Sequence, residues 1–448
     1  MTRVLALDVG SSSVRAQVWD DGEPADTAQK VRYEGADPDE IVRLVRGAIE
    51  GRERFVDAVG ASCFGHSLLA VDGAGRPLTP LLGWRDTRSG AAAERLAREL
   101  DPEAVHARTG CHLHTSYWPA KVRWLAEEQP DVFGAAARFV SFADYLYAQL
   151  LGREPPSSLS LASGTGLLNL ATQTWDAELL EVLRLDPARL SRVSDEPLGE
   201  ETPWYPAWFD GACSNIGAGC VTARRAALMV GTSGAYRTIH APDHARPRPG
   251  LFLYRLDAQR VLEGGALSDG GNLYAWVRDT LRRASGSLAD RDPGAHGLTF
   301  LTLLGGERST GWDPFATGAI AGLTFQTTPL DLCQAALEGV AFRFAEVAEL
   351  MPEVEEVVAT GGALVSDHDW VQIMADALGR PVTLSGVPEA SLRGAAVATL
   401  ERLGVEATPA PLGHVFEPRR DRADAYRSAR DRQRELYEAT REWRRDRL

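Results

Sequence analysis

The sequence predicts an α/β protein built as two similar halves, and three observations carry that prediction. The N-terminus reads VLALDV, then GSSS, then VRAQVW: two β-rich runs joined by a short Gly/Ser turn, the signature of a hairpin. Half a chain later AALMV, GTSG and AYRTI repeat the same grammar, the pattern of a duplicated unit. The 448 residues suffice for two large domains.

The remaining elements follow in order. DAVGASCFGH reads as a buried strand leading into a loop. SGAAAERLAREL and SYWPAKVRWLAEE space their apolar residues three and four apart, which predicts helices. Residues 151–166 are a Pro/Ser/Gly-rich excursion, and DEPLGEETPWYPAWFDG is loop-like. The domain boundary is therefore expected near residue 222, giving lobes of residues 1–222 and 223–448. In the second half, TPLDLCQAALEGVAFRFAEVAEL opens with a Thr N-cap and a Pro at the first helical position. VEEVVAT then predicts a strand, GGAL a tight turn, and SDHDWVQIMADALG a helix ending at Gly379. The tail RSARDRQRELYEATREWRRDRL reads as a charged amphipathic helix that braces the surface.

Composition excludes several functions. At 44% hydrophobic and 25% charged residues the chain has an ordinary globular make-up, with a net charge of −14. Such an acidic balance argues against nucleic acid as the main partner. MTRVLALDVG shows no basic stretch followed by a long apolar run and a cleavage site, and no apolar run approaches the ~20 residues of a membrane span, so a cytoplasmic protein with no membrane partner is expected. Five scattered cysteines fit reduced thiols better than a disulfide framework. Lys30 and Lys121 are the only lysines, and neither follows a glycine. That excludes a Walker A loop. No Gly-x-Ser-x-Gly elbow is present, which leaves a hydrolase reading with little support.

Several segments carry chemistry. In Asp8-Val9-Gly10-Ser11-Ser12-Ser13, Gly permits a sharp turn whose N–H groups and hydroxyls can surround phosphate oxygens, and the preceding acid can hold Mg²⁺ directly or through water. An ordinary hairpin turn is the alternative. Gly231-Thr232-Ser233-Gly234 repeats the device, which suggests one nucleotide held between the halves. Gly361-Gly362-Ala363, between a strand and a helix, would let a flat ring approach the backbone. His66 is either a ligand or a hydrogen-bonded structural residue. The WRDTR run, Trp84–Arg88, suits a polyhydroxylated ligand or a surface salt-bridge cluster. Cys111-His112-Leu113-His114 lacks a second group of ligands, which argues against zinc. Asp210, in WFDGACSNIGAG, marks a tight turn or takes a proton.

Together these motifs resemble the FGGY carbohydrate kinases, from residue 3 to about residue 405 and in the family's order. The resemblance implies two actin-like, ribonuclease H-like lobes around an interdomain cleft, with ATP and Mg²⁺ as cofactors. It implies that Asp8–Ser13 is the first phosphate loop, with Asp8 toward the metal, and Gly231–Gly234 the second. Gly361, Gly362 and Ala363 would be the adenosine turn, with Gly271 a further nucleotide contact. CFGHSLLAVD, PLTPLLGWRDTRS, HARTGCHLHTSYWPAKVRWL, LASGTGLLNL and MVGTSGAYR look most like gluconokinases. On that likeness His66, Trp84, Asp86, His114, Tyr117 and Lys121 would line the sugar site, and Asp210 falls at the catalytic base. Phe209, Ser158 and Gln326 depart from the family's commoner Gly, Asp and His. The expected reaction is phosphorylation of a sugar or sugar acid, D-gluconate first, with a ketopentose such as xylulose or another polyol as the alternative. Arg85, Arg88 and Lys121 are the cations offered for a substrate carboxylate. A non-catalytic actin-like nucleotide-binding protein is the reading from a different class. The expected partners are the small substrate and ATP, and a homodimer is admitted.

Overall fold

Each half of the chain builds a sheet outward from a hairpin. In the first, Arg3–Val9 and Ser13–Asp20 pair antiparallel and close at Val9 and Val14, while Ala58–Cys63 runs parallel on the other side of Arg3–Val9. In the second, Arg225–Val230 and Gly234–His240 close at Val230 and Gly234, and Glu356–Thr360 lies parallel beside Arg225–Val230. The repeat seen in sequence is thus a repeat of topology. VLALDV and AALMV are apolar on both faces because both sheets are covered on both sides. The computed structural model describes residues 2–35, 37–199, 201–280, 286–288 and 291–445. Among these the first sheet has six strands and the second seven.

The predicted helices form at Gly90–Glu99, Trp118–Glu128, Pro329–Glu349, His368–Leu378 and Ala423–Arg445. Thr328 caps the long central helix in a reciprocal capping box with Asp331, and Gly379, at φ 63°, ends the next. GGAL differs from the expected tight turn. The Gly361 carbonyl accepts from Leu364 and Val365 N–H, so the chain winds into a short helix at Gly362–Val365. Among the described residues no helix is long and apolar enough to cross a membrane.

The edge strand Trp208–Phe209 runs parallel to Ala58–Cys63 and passes directly into the helix Asp210–Gly217. That helix packs on another from the second half, Ala390–Arg402. Their backbones touch: a Cβ on Gly217 would lie 1.8 Å from the Ala390 carbonyl oxygen, and one on Gly394 1.8 Å from that of Cys213. Leu392, Ala395, Ala396 and Leu400 join the apolar core of Val4, Leu7 and Ala61. A division near residue 222 separates the two sheets, but the Ala390–Arg402 helix returns to the first core.

Candidate functional site

A cleft of about 630 Å³ separates the lobes, and both hairpin turns open into it. Ser11 and Ser12 line it from the first lobe, Thr232 and Ser233 from the second. Each turn is closed by its glycine, the second one residue tighter: Gly10 N–H donates to the Ser13 carbonyl at 3.0 Å, and Gly231 N–H to that of Ser233 at 3.0 Å. Tyr33 braces the first turn, its N–H on the Ser12 carbonyl and its hydroxyl on that of Gly10. Ser13, buried, begins the next strand.

The other segments expected to hold nucleotide converge on the second turn. Gly271 N–H donates to the Gly231 carbonyl at 2.9 Å and Asn272 N–H to that of Thr232 at 3.0 Å. Gly361, at φ 88°, sits so close that a Cβ would lie 2.4 Å from the Val230 carbonyl oxygen. A Cβ on Gly271 would lie 2.7 Å from the Ala363 Cβ. Gly362 is exposed, with open space above it. The arrangement leaves bare backbone around Gly231, Gly271 and Gly361–Ala363 where a ring and phosphates can approach.

Asp8 is buried and already engaged by the protein. One carboxylate oxygen accepts from Arg15 Nη1 at 2.6 Å and the other from the Ser62 hydroxyl at 2.9 Å. The adjacent guanidinium would repel a cation in direct contact, which leaves contact through a water as the expectation for Asp8 that fits these residues. Among the described residues no cluster of three or more His, Cys, Asp or Glu could hold a metal.

Asp210 lines the same cleft as both turns, half-buried at the first position of its helix. Its carboxylate accepts from the Gly211 N–H at 2.8 Å. Burial pushes its pKa up to about 6, against the opposing pull of Arg237, with Asp8 pushing the same way as burial. That places its proton exchange near neutrality, where a general base works best.

The sequence-predicted sugar residues divide into three groups. His66, Trp84 and Asp86 line the cleft. His66, at φ 62°, donates from Nδ1 to the Gly164 carbonyl at 2.6 Å and accepts at Nε2 from Arg308 Nη2 at 3.3 Å. Burial, then Arg308, pushes its pKa well below the ordinary value, so the ring is neutral. Asp86 accepts from Arg88 Nε at 3.0 Å; burial raises its pKa, but the Arg88 hydrogen bonds outweigh this and hold it below the usual range. His114 belongs to an adjoining hollow that shares Trp84 and Arg85. Its Nδ1 accepts from Ser116 N–H at 3.1 Å. Tyr117 and Lys121 stand behind the wall. The Tyr117 hydroxyl pairs with that of Tyr254 at 2.7 Å. Lys121 donates to the carbonyls of His66 at 2.7 Å, Ser116 at 2.9 Å and Leu82 at 3.3 Å. It fastens together the loops that carry the site instead of reaching a ligand.

Sequence reasoning missed Arg237, Arg308 and Tyr254, all of which line the cleft. No signal singles out two arginines among 48 basic residues. Arg308 lies in GGERSTGWDP, and its loop is well held. Glu307 accepts from Arg343 and from the Tyr437 hydroxyl, while Ser309 bonds Ala266 twice at 3.0 Å. The departures also find places. Phe209 packs over Gly65, where a Cβ would lie 2.0 Å from its ring. Ser158 caps a short helix and donates to the Ala207 carbonyl at 2.6 Å, and Gln326 is exposed.

This layout meets a decisive sequence match. Residues 3–200 match the FGGY family of carbohydrate kinases, N-terminal domain, and residues 226–400 the C-terminal domain of the same family. The chain belongs to the FGGY family of carbohydrate kinases. This FGGY kinase is 28% identical to a gluconokinase of Bacillus subtilis (strain 168), over 95% of its own length and 93% of the relative's. A gluconate kinase structure from Lactobacillus acidophilus aligns at TM-score 0.86 and 25% identity, covering 98% of both chains. A ligand-bound xylulose kinase from the same organism aligns at TM-score 0.87 and 25% identity, again over 98% of both. The expected actin-like, two-lobed fold is the one observed, and the activity is that of an ATP-dependent carbohydrate kinase.

Proposed function

We propose that this FGGY kinase transfers the γ-phosphoryl group of ATP to the terminal 6-hydroxyl of D-gluconate, with Asp210 as general base. One observation carries the reading: a carboxylate with its pKa near 6 opens into the cleft that both hydroxyl-lined turns share. A sugar hydroxyl is a poor nucleophile until its proton leaves. Asp210 would accept that proton as the oxygen attacks the γ-phosphorus, while the bond to the β-phosphate oxygen breaks and ADP departs. Ser11, Ser12, Thr232 and Ser233 would orient the phosphates through hydroxyls and backbone N–H groups. Gly361–Ala363 and Gly271 would receive the adenosine. Closure of the lobes about the Asp210–Gly217 and Ala390–Arg402 helices would exclude water and limit hydrolysis.

The choice of D-gluconate is supported by the gluconokinase likeness in sequence and fold. A ketopentose such as xylulose is the competing acceptor, and the likeness to a xylulose kinase favours it. Coupled measurement of ADP release with D-gluconate, D-xylulose and glycerol tests the proposal. Stimulation by D-gluconate above the others is expected. Greatest stimulation by xylulose would transfer the reading to that acceptor, and ADP release that no acceptor stimulates would leave a non-catalytic nucleotide-binding protein.

A further inference from the structure

Two guanidiniums in the cleft have hydrogen-bonding capacity that the protein leaves unused. Arg237 is 5% exposed, and its Nε and Nη2 are buried without a partner. Its Nη1 lies only 2.5 Å from where a Cβ on Gly211 would stand, so the group rests on the residue beside Asp210. Arg308 is 7% exposed, with Nε buried and unpartnered and Nη2 on His66. Neither lies within ion-pair distance of a carboxylate among the described residues, although Arg237 faces Asp210 across the cleft and each favours the other's charge. An unpaired buried cation is costly, and two lining one cleft repel each other. Such an arrangement becomes favourable when a ligand brings the anion.

The three cations nominated from sequence are poorly placed for that duty. Arg88 is committed to Asp86 and lies 4.7 Å from the Trp124 ring centroid. Lys121 is committed to three carbonyls. Arg85 is exposed, 4.8 Å over the Trp84 ring.

We propose that Arg237 and Arg308 form a subsite for the carboxylate of an acidic sugar, and so set the preference of this kinase for acid over neutral acceptors. The inference rests on the aldonate-kinase reading above. The alternative anion is a phosphate of ATP, for which the two hydroxyl-lined turns are the proposed seat. Arg308 instead sits 5.3 Å from the Trp84 ring and against His66, among the groups suited to a polyhydroxylated chain. A guanidinium presents parallel N–H donors that match a carboxylate, and D-glucitol differs from D-gluconate only in having a neutral hydroxymethyl group in place of that carboxylate.

The test compares kcat/KM for D-gluconate and D-glucitol in the wild type, Arg308→Met and Arg237→Met, with ATP KM and melting temperature measured alongside. The wild type is expected to favour the acid. In each variant the acid-to-neutral ratio should fall by ~30-fold or more, the usual consequence of losing one partner of a buried charged contact, with most of the loss in KM for gluconate. Nucleotide-free Arg308→Met should melt no lower than the wild type, because an unpaired buried charge has been removed. An unchanged ratio, whether both acceptors are lost equally or ATP KM rises instead, overturns the proposal and leaves the kinase reading standing. A wild type that favours the neutral acceptor overturns the gluconate reading and the subsite together. If Arg308→Met fails to fold, Arg237→Met decides by the same ratio.

Discussion

Replacing Asp210 by Asn removes one negative charge and one proton acceptor while keeping the shape and the hydrogen bond to Gly211. Two consequences follow, with opposite signs. For catalysis, on the proposed mechanism the acceptor hydroxyl loses its base, and a positioned base is worth ~10²–10⁴-fold. That is about 3–5 kcal/mol of barrier, seen as a fall in kcat. For stability, burial raises the Asp210 pKa from 3.8 to about 6. A carboxyl with a raised folded-state pKa contributes stability below its unfolded value and loses it as pH rises through the folded value. Above pH 6 the ionised group therefore costs the wild type up to about 3 kcal/mol, less because the side chain is only half-buried. Asp210→Asn should match or exceed the wild type in thermal stability at neutral pH, and it should converge with it near pH 4. The assays are steady-state ADP release and a thermal melt at several pH values, with ATP affinity as a control. A variant that turns over normally, or that loses activity only because it melts early, would refute the reasoning.

Other perturbations test neighbouring parts. In the wild type, kcat/KM for the acceptor should fall about tenfold per pH unit below an acid limb near pH 6, because protonated Asp210 cannot act as base. Gly361→Ala places a methyl against the Val230 carbonyl at a left-handed φ of 88°. It should raise ATP KM about tenfold or more and destabilise by about 1–3 kcal/mol, with acceptor KM at saturating ATP little changed. Lys121→Met abandons three carbonyls and should lower stability by about 3–5 kcal/mol, read as a drop in melting temperature. Acceptor KM should rise through the loosened His66 and Ser116 loops.

The fold was largely legible because its signals are local. Alternating apolar runs around Gly-hydroxyl turns give both hairpins, and Thr-Pro-Leu-Asp and Gly379 bound their helices by capping chemistry. Asp210 and the two turns were legible as motifs. What the sequence concealed depends on packing between distant segments. Arg237 and Arg308 look like any other arginines until their guanidiniums are found buried in the cleft with donors unused. Lys121 stood out by rarity, yet its three carbonyl partners show that it holds loops together. The Ala390–Arg402 helix reads as part of the second half, and only the backbone contact at Gly217 and Gly394 reveals that it packs into the first core.

Phosphorus NMR of a reaction containing ATP and D-gluconate tests the central claim most directly. The account predicts that the γ-phosphate signal converts to a phosphomonoester coupled to the C6 protons, in step with ADP and dependent on Asp210. Conversion to inorganic phosphate alone, at the same rate with and without D-gluconate, would contradict it.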